Sequence, residues 1–246
     1  TDRRFMSGNE AVAHGAWEAG CRVAAAYPGT PSTEILEYAS QYPEMYSEWS
    51  INEKVSLEVA IGASLAGSRA MCAMKHVGLN VASDALMSET LIGVGGGLVI
   101  AVADDVGLSS SQNEQDSRFW GRFAHVPILE PADAQEAYAF TVFAFELSER
   151  FGTPVILRLT TRICHVKGVV VATGARQEFA LAQGFVKDPA QWVMIPGNAR
   201  TRIPLMFERE ERLRQYSGEC ELNFFEPGAD KRVGYVTSGP TYMHVK

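Results

Sequence analysis

Four runs of this sequence are apolar throughout instead of alternating: Arg22–Tyr27 (RVAAAY), Ala70–Lys75 (AMCAMK), Leu98–Ala103 (LVIAVA) and Thr153–Leu159 (TPVILRL). A strand with one wet face alternates apolar and polar residues, so strands apolar on both faces must be covered on both. Between them lie stretches with helical spacing. Ser7–Gly20 has Ser7 or Asn9 as a cap and Gly20 as a stop, and Asn52–Gly67 has Asn52 as a cap. Ser32–Gln41, Val81–Ile92 and Asp133–Arg150 are the others, and Met45–Trp49 and Val126–Leu129 are brief strand candidates. Strands and helices in this alternation predict an α/β fold over residues 1–165, with a mainly parallel sheet of about six strands flanked by helices.

The pattern changes after His165. Residues 166–231 read as a linker or C-terminal appendage, with a charged helix at Ile203–Tyr216 and a Pro/Gly segment at Phe224–Asp230. Arg232–Thr237 (RVGYVT) reads as the first strand of a further domain, so 232–246 is expected to open a domain that continues in a longer subunit. The net charge of −7 over 246 residues, without a basic stripe, argues against nucleic acid as a partner. The longest apolar stretch, Gly93–Ala103, is far short of the ~20 residues that cross a membrane. The N-terminal residues carry charge but no following apolar run, as a secretory signal would. Cys21, Cys72, Cys164 and Cys220 include no C-x-x-C, which argues against a zinc ribbon or an iron–sulfur site built within this chain. They read as reduced thiols of a cytoplasmic protein, and no metal site is expected in the chain.

Gly93, Gly95, Gly96 and Gly97 follow a helix and feed a strand, the reverse of a dinucleotide fingerprint, and read as a helix stop and tight turn. The P-loop, G-x-S-x-G and H-E-x-x-H signatures are absent. Three segments at strand ends are harder to explain as scaffold. In Tyr27-Pro28-Gly29-Thr30-Pro31-Ser32, two prolines fix the loop, Gly29 permits close approach of a ligand, and Thr30 and Ser32 offer hydroxyls at a helix start; a plain strand–helix turn capped by Ser32 is the alternative. Glu53 begins a helix rich in Ala, Gly and Ser; a carboxylate there is either a helix-dipole partner or a functional group. Asp104–Arg122 (DDVGLSSSQNEQDSRFWGR) is either a binding loop or a solvated one.

Taken together, YPGTPSTEI, NEKVSLEVAIGASLAGSRA, MKHVGLNVASDALM, SSSQNEQDSR and TPVILRLTTR resemble the 2-oxoacid:ferredoxin oxidoreductases, in order and over about residues 8–165. Lys75-His76 is similar to their indolepyruvate branch rather than the pyruvate branch. The resemblance implies the pyrimidine-binding (Pyr) domain of a thiamine-diphosphate enzyme. Such enzymes decarboxylate a 2-oxo acid with coenzyme A to an acyl-CoA and pass electrons through iron–sulfur clusters to ferredoxin. It implies that Glu53 hydrogen-bonds N1′ of the aminopyrimidine, favouring the imino form that takes the thiazolium proton. It places Thr30 and Gly29 beside the cofactor, and implies an arginine on the substrate carboxylate, Arg122 ahead of Arg118 by spacing. Lys75 and His76 are further substrate-side candidates, His76 either in proton transfer or as a structural histidine. The family's GDG-type diphosphate motif, its magnesium site and its four-cysteine clusters are not in this sequence. The chain is therefore expected to need a diphosphate-binding domain and a second subunit, in a homodimer or hetero-oligomer, and to be inactive alone. Two alternatives stay open: the same chemistry on pyruvate, 2-oxoglutarate or a branched-chain acid, or a non-catalytic Pyr-fold assembly module.

Overall fold

The computed structural model describes residues 2–178, 185–228 and 231–246. Strand β1 (Asp2–Ser7) leads into helix α1 (Gly8–Glu18), whose start is fixed by a reciprocal capping box between Ser7 and Glu10. There follow β2 (Val23–Ala26), α2 (Thr33–Ala39), β3 (Tyr46–Trp49), α3 (Glu53–Leu65), β4 (Ala70–Lys75), α4 (His76–Ile92) and β5 (Leu98–Asp104). Then come α5 (Arg118–Ala124), β6 (Ile128–Leu129), α6 (Ala134–Phe151), β7 (Val155–Thr160), α7 (Thr161–His165) and β8 (Lys167–Ala172). The C-terminal part holds α8 (Pro189–Trp192), α9 (Pro196–Glu219), a 3-10 turn at Gly239–Thr241 and α10 (Tyr242–Val245).

Six strands form one sheet in the order β3-β2-β4-β5-β7-β6, and every pairing in it is parallel. This is the expected α/β architecture. Its core is two layers, one on each face. In β5, Val99, Ala101 and Ala103 join the layer under α1, α2 and α6, which includes Ile35, Leu36 and Phe145. Leu98, Ile100 and Val102 join the other layer with Leu57 of α3 and Leu79 and Leu86 of α4. Both faces of the strand are dry, which is why the run carries no polar alternation.

Several elements differ from the sequence reading, and the short helices α5, α7, α8 and α10 were not in it. Helix α4 begins at His76 rather than Val81: Gly78 and Asn80 are weak helix formers, and tertiary packing overrides them. Strands β1 and β8 were not expected; they pair antiparallel, Asp2 opposite Ala172 and Ser7 opposite Lys167, which ties the start of the stretch given to the appendage to the beginning of the chain. Arg232–Thr237, expected as a strand, forms none, and it pairs with no strand among the described residues. The Pro/Gly segment Phe224–Asp230 is described only to residue 228, its last two residues lying outside the described residues. The glycine cluster is the helix stop and turn expected of it. Gly93 caps α4 at φ 84°, and a Cβ on Gly95 or Gly96 would stand 2.5 Å from a carbonyl oxygen of the segment that ends α3.

The turn after β8 is tied down by Glu18, which is buried and accepts from the Tyr138 hydroxyl, the Thr173 hydroxyl at 2.6 Å and the Gly174 N–H at 2.6 Å. Helix α9 docks on the far end of α4. Arg202 donates to the carbonyls of Leu91 and Ile92, both at 3.0 Å, and Arg209 donates to that of Thr90, so two arginines satisfy carbonyls that a helix end leaves open.

Candidate functional site

Because the sheet is parallel, the loops after β2, β3, β4 and β5 all open at one edge, and these four strands are neighbours. Ligands of open α/β sheets bind at that carboxyl edge. The loop after β2 is held from within. The Gly29 N–H donates to the Thr33 hydroxyl at 2.9 Å, the Ser32 hydroxyl donates to the Gly29 carbonyl at 2.8 Å, and the Asn9 side chain donates to the Pro31 carbonyl at 2.8 Å. Ser32 occupies the cap position of α2 without capping it by its side chain. A Cβ at Gly29 would meet Cδ of Lys75 at 2.9 Å, so the glycine is there to let the lysine stem pass. Thr30 is exposed at the tip of the loop.

Helix α3 starts where Asn52 caps it, its side-chain oxygen accepting from the Val55 N–H at 3.0 Å. This fixes Glu53 in the first turn, facing the first turn of α4. A Cβ on Gly78 would stand 2.6 Å from Cγ of Glu53, so the missing side chain of Gly78 is the space Glu53 occupies. Glu53 is half-buried, and among the described residues its carboxylate forms no hydrogen bond and no ion pair. It also lies close enough to β4 that its charge adds to burial in pushing the Cys72 thiol pKa up.

Lys75 ends β4, nearly buried, and donates from Nζ to the Ser110 carbonyl at 3.1 Å. His76 is fully buried. Its Nδ1 accepts from the Asp105 N–H at 3.2 Å, so Nε2 carries the proton and donates to the Asn113 carbonyl at 2.9 Å. Both ring nitrogens thus hold the loop after β5, and neither is turned to the open edge. The Ser110 hydroxyl reaches the Thr30 carbonyl at 3.2 Å. Gly29, Thr30 and Lys75 are therefore gathered around Ser110, with Glu53 over the next helix start.

The two arginines of the loop stand elsewhere. Arg118 forms a forked pair with Asp116, at 2.8 Å from Nε and 2.7 Å from Nη2. Arg122 is exposed on α5, beside the groove that α5 shares with Phe207 and Glu210 of α9. Among the described residues no hydrogen bond or ion pair joins either arginine to Thr30, Lys75 or Glu53. The deeply buried guanidinium of this region is Arg158 of β7, paired with Asp104 at 2.8 Å and with Glu130. The sequence analysis did not single it out, although a lone arginine inside an apolar strand is the signal that could have marked it. Among the described residues no cluster of three or more His, Cys, Asp or Glu side chains could hold a metal ion.

Residues 14–209 match the family described as pyruvate flavodoxin/ferredoxin oxidoreductase, thiamine-diphosphate-binding. The indolepyruvate oxidoreductase subunit IorA of Thermococcus kodakarensis is 46% identical over 252 residues, covering 100% of this chain and 39% of the relative. The corresponding subunit of Archaeoglobus fulgidus is 44% identical over 253 residues, covering 100% of this chain and 40% of the relative. The 2-oxoglutarate synthase subunit KorA of Methanocaldococcus jannaschii is 34% identical over 182 residues, 68% of this chain and 48% of the relative. This chain thus spans about two fifths of the length of the IorA relatives, 39% and 40%. Among solved structures, a 2-oxoglutarate:ferredoxin oxidoreductase from Magnetococcus marinus, with 2-oxoglutarate, coenzyme A and succinyl-CoA bound, superposes with a TM-score of 0.68. That alignment covers 88% of this chain and 46% of the other at 20% identity, and so it speaks to the fold.

Proposed function

Since the chain belongs to the pyruvate flavodoxin/ferredoxin oxidoreductase family of thiamine-diphosphate-binding domains, we propose that residues 1–165 are the Pyr-type part of a 2-oxoacid:ferredoxin oxidoreductase acting on an arylpyruvate such as indolepyruvate. Coenzyme A accepts the acyl group and ferredoxin the electrons. The observation that carries this reading is Glu53: a half-buried carboxylate at a helix start, with no internal partner among the described residues and a glycine opposite that leaves it room. A partly exposed carboxylate with no protein partner is free to meet a ligand. A carboxylate kept open at the carboxyl edge fits a nitrogen base that must share a proton with it, and the aminopyrimidine of thiamine diphosphate is such a base.

When bound, thiamine diphosphate supplies the electron sink for decarboxylation. What this chain adds is placement. Glu53 holds a proton toward the pyrimidine. Gly29 leaves room for the Lys75 stem to reach the site, and the Thr30 hydroxyl stands exposed at the loop tip. Lys75 has one hydrogen-bond partner among the described residues, the Ser110 carbonyl, and an ammonium carries three donors. The remaining two suit the substrate carboxylate, where Arg118 and Arg122 were expected. The magnesium and diphosphate contacts, and the iron–sulfur clusters, belong in this proposal to a diphosphate-binding domain and a second subunit. In this proposal the residues after β8 connect to those parts.

The arylpyruvate reading is preferred over 2-oxoglutarate because the IorA relatives align over the whole chain and the KorA relative over 68% of it. An assembly module without catalysis would have no use for an open Glu53. The test is 2-oxo-acid- and coenzyme-A-dependent reduction of a viologen dye by the full-length enzyme, comparing indolepyruvate, pyruvate and 2-oxoglutarate. Turnover of indolepyruvate that collapses in Glu53→Gln supports the reading. Indolepyruvate turnover that survives the change removes Glu53 from it.

A further inference from the structure

Strand β5 runs out into two buried carboxylates, Asp104 and Asp105, and they divide the polar loop between them. Asp104 holds its far end, accepting from the N–H of Ser117 at 3.0 Å, from the Ser117 hydroxyl and from Arg158 at 2.8 Å. Asp105 holds its near end. It accepts from the N–H groups of Ser109 at 3.2 Å and Ser110 at 2.7 Å, and from the hydroxyls of Ser111 at 2.8 Å and Thr161 at 3.1 Å. The Ser110 hydroxyl lies 3.2 Å from this carboxylate and 3.2 Å from the Thr30 carbonyl, and its one proton is shared between them.

Ser110 is the one residue of the loop that touches both candidate substrate-side groups. Its carbonyl anchors the Lys75 ammonium and its hydroxyl reaches the Thr30 backbone. Nothing in the loop sequence would hold Ser110 there unaided: residues 106–116 contain no strand and no helix. We propose that Asp105 is a positioning residue of the site, which fixes Ser110 between Lys75 and Thr30 and thereby sets the seat of the 2-oxo acid carboxylate. The proposal rests on the functional reading given above. Asp105 touches neither substrate nor cofactor itself; its charge is absorbed by loop donors, and that leaves the lysine charge for the ligand. Burial alone would raise the Asp105 pKa, but the donors from Ser110, Ser111 and Thr161 outweigh it and hold the carboxyl at about 2. The anchor is therefore ionised across the whole neutral range.

The experiment is Asp105→Asn in the full-length enzyme, read in two ways. An amide keeps the shape but halves the accepting capacity, since its NH2 group can only donate. Hydrogen exchange at the Ser109 and Ser110 amides should accelerate at least tenfold, and KM for the 2-oxo acid should rise roughly tenfold or more while kcat changes less than about threefold. Ser148→Ala is the control. It removes a buried hydroxyl at the opposite end of the sheet, bonded to the Leu98 N–H and the Thr153 carbonyl. It should lower the melting temperature without moving KM. Unchanged exchange at Ser109 and Ser110 overturns the proposal. Accelerated exchange with an unchanged KM also overturns it, because the loop would then be held but not used. A wild-type enzyme that turns over no 2-oxo acid defeats the functional reading instead, and the exchange measurement still decides whether Asp105 holds Ser110.

Discussion

Two carboxyls at opposite ends of the central strand have opposite fates. Asp105, just past the carboxyl end of β5, is buried and surrounded by donors, and its pKa falls to about 2. Glu89 lies near the end of α4, toward the strand's amino end, and is also buried. Neither of its oxygens has a hydrogen-bond partner, and burial pushes it up to about 8 although Arg209 pulls the other way. Both side chains are closed to solvent, but Glu89 lies deeper and lacks donors whereas Asp105 is ringed by them, and depth and donors together set the sign. One end of the sheet is built by loops that bring donors to charge. The other is built by packing, where α9 lays Arg202 and Arg209 over the last carbonyls of α4. Function is expected at the first end and stability at the second.

The largest effect expected from this contrast is on turnover. Glu53→Gln in the full-length enzyme should lower the rate on the order of 10²–10⁴-fold, as for loss of a positioned acid–base group. Glu89→Gln should leave the rate within about twofold; an equal loss in both would break the comparison. Next is stability. Asp105→Ala leaves several donors unmet and should cost about 3 kcal/mol in denaturant unfolding. Gly78→Ala should act on activity more than on stability. Its methyl would press on Glu53 and should lower turnover roughly tenfold, for at most about 1 kcal/mol of stability.

The pH dependence sharpens the same contrast. The unfolded chain releases the Glu89 proton near 4.5, the ordinary value of a glutamate, whereas the folded chain keeps it to about 8. The folded state binds more protons in that window, so stability should fall as pH rises through it, by up to about 1.4 kcal/mol per unit. Glu89→Gln should remove that slope. Asp105 works in the opposite direction: its contribution is present above 3.8 and lost as pH falls toward 2. Urea unfolding between pH 5 and 8 checks the first, and acid unfolding the second. The smallest effect is Arg202→Ala, which should speed hydrogen exchange in α9 for a loss of about 1 kcal/mol and leave β5 protected.

The sheet was legible in the sequence because its signal is local: unbroken apolar runs such as LVIAVA mean two covered faces. Asn52 and Glu53 were legible for the same reason, as a cap and a first-turn acid. Strands β1 and β8 were not, because their pairing joins residues 160 to 170 positions apart, from Ser7 with Lys167 to Asp2 with Ala172, and leaves Phe5, Val169 and Val171 exposed on the outer side. The start of α4 was obscured by Gly78, a residue chosen for what it leaves empty. In the loop after β5 the resemblance implied a carboxylate-binding arginine and spacing ranked Arg122 ahead of Arg118; Arg118 pairs with Asp116, two residues before it, and the buried guanidinium nearby is Arg158 on another strand. Asp104 and Asp105 read as a strand end opening a polar loop, and which donors each would gather depends on a loop conformation that no local pattern fixes.

The alternation along β5, with Val99, Ala101 and Ala103 serving one layer and Leu98, Ile100 and Val102 the other, makes the strand a ruler. Its lettering is free to drift, since one aliphatic residue replaces another at small cost, but its length is not. One residue gained or lost would exchange the layers and turn the two terminal carboxylates to each other's side. Descendants of this sequence should therefore vary in the identity of residues 98–103 and record their insertions and deletions elsewhere.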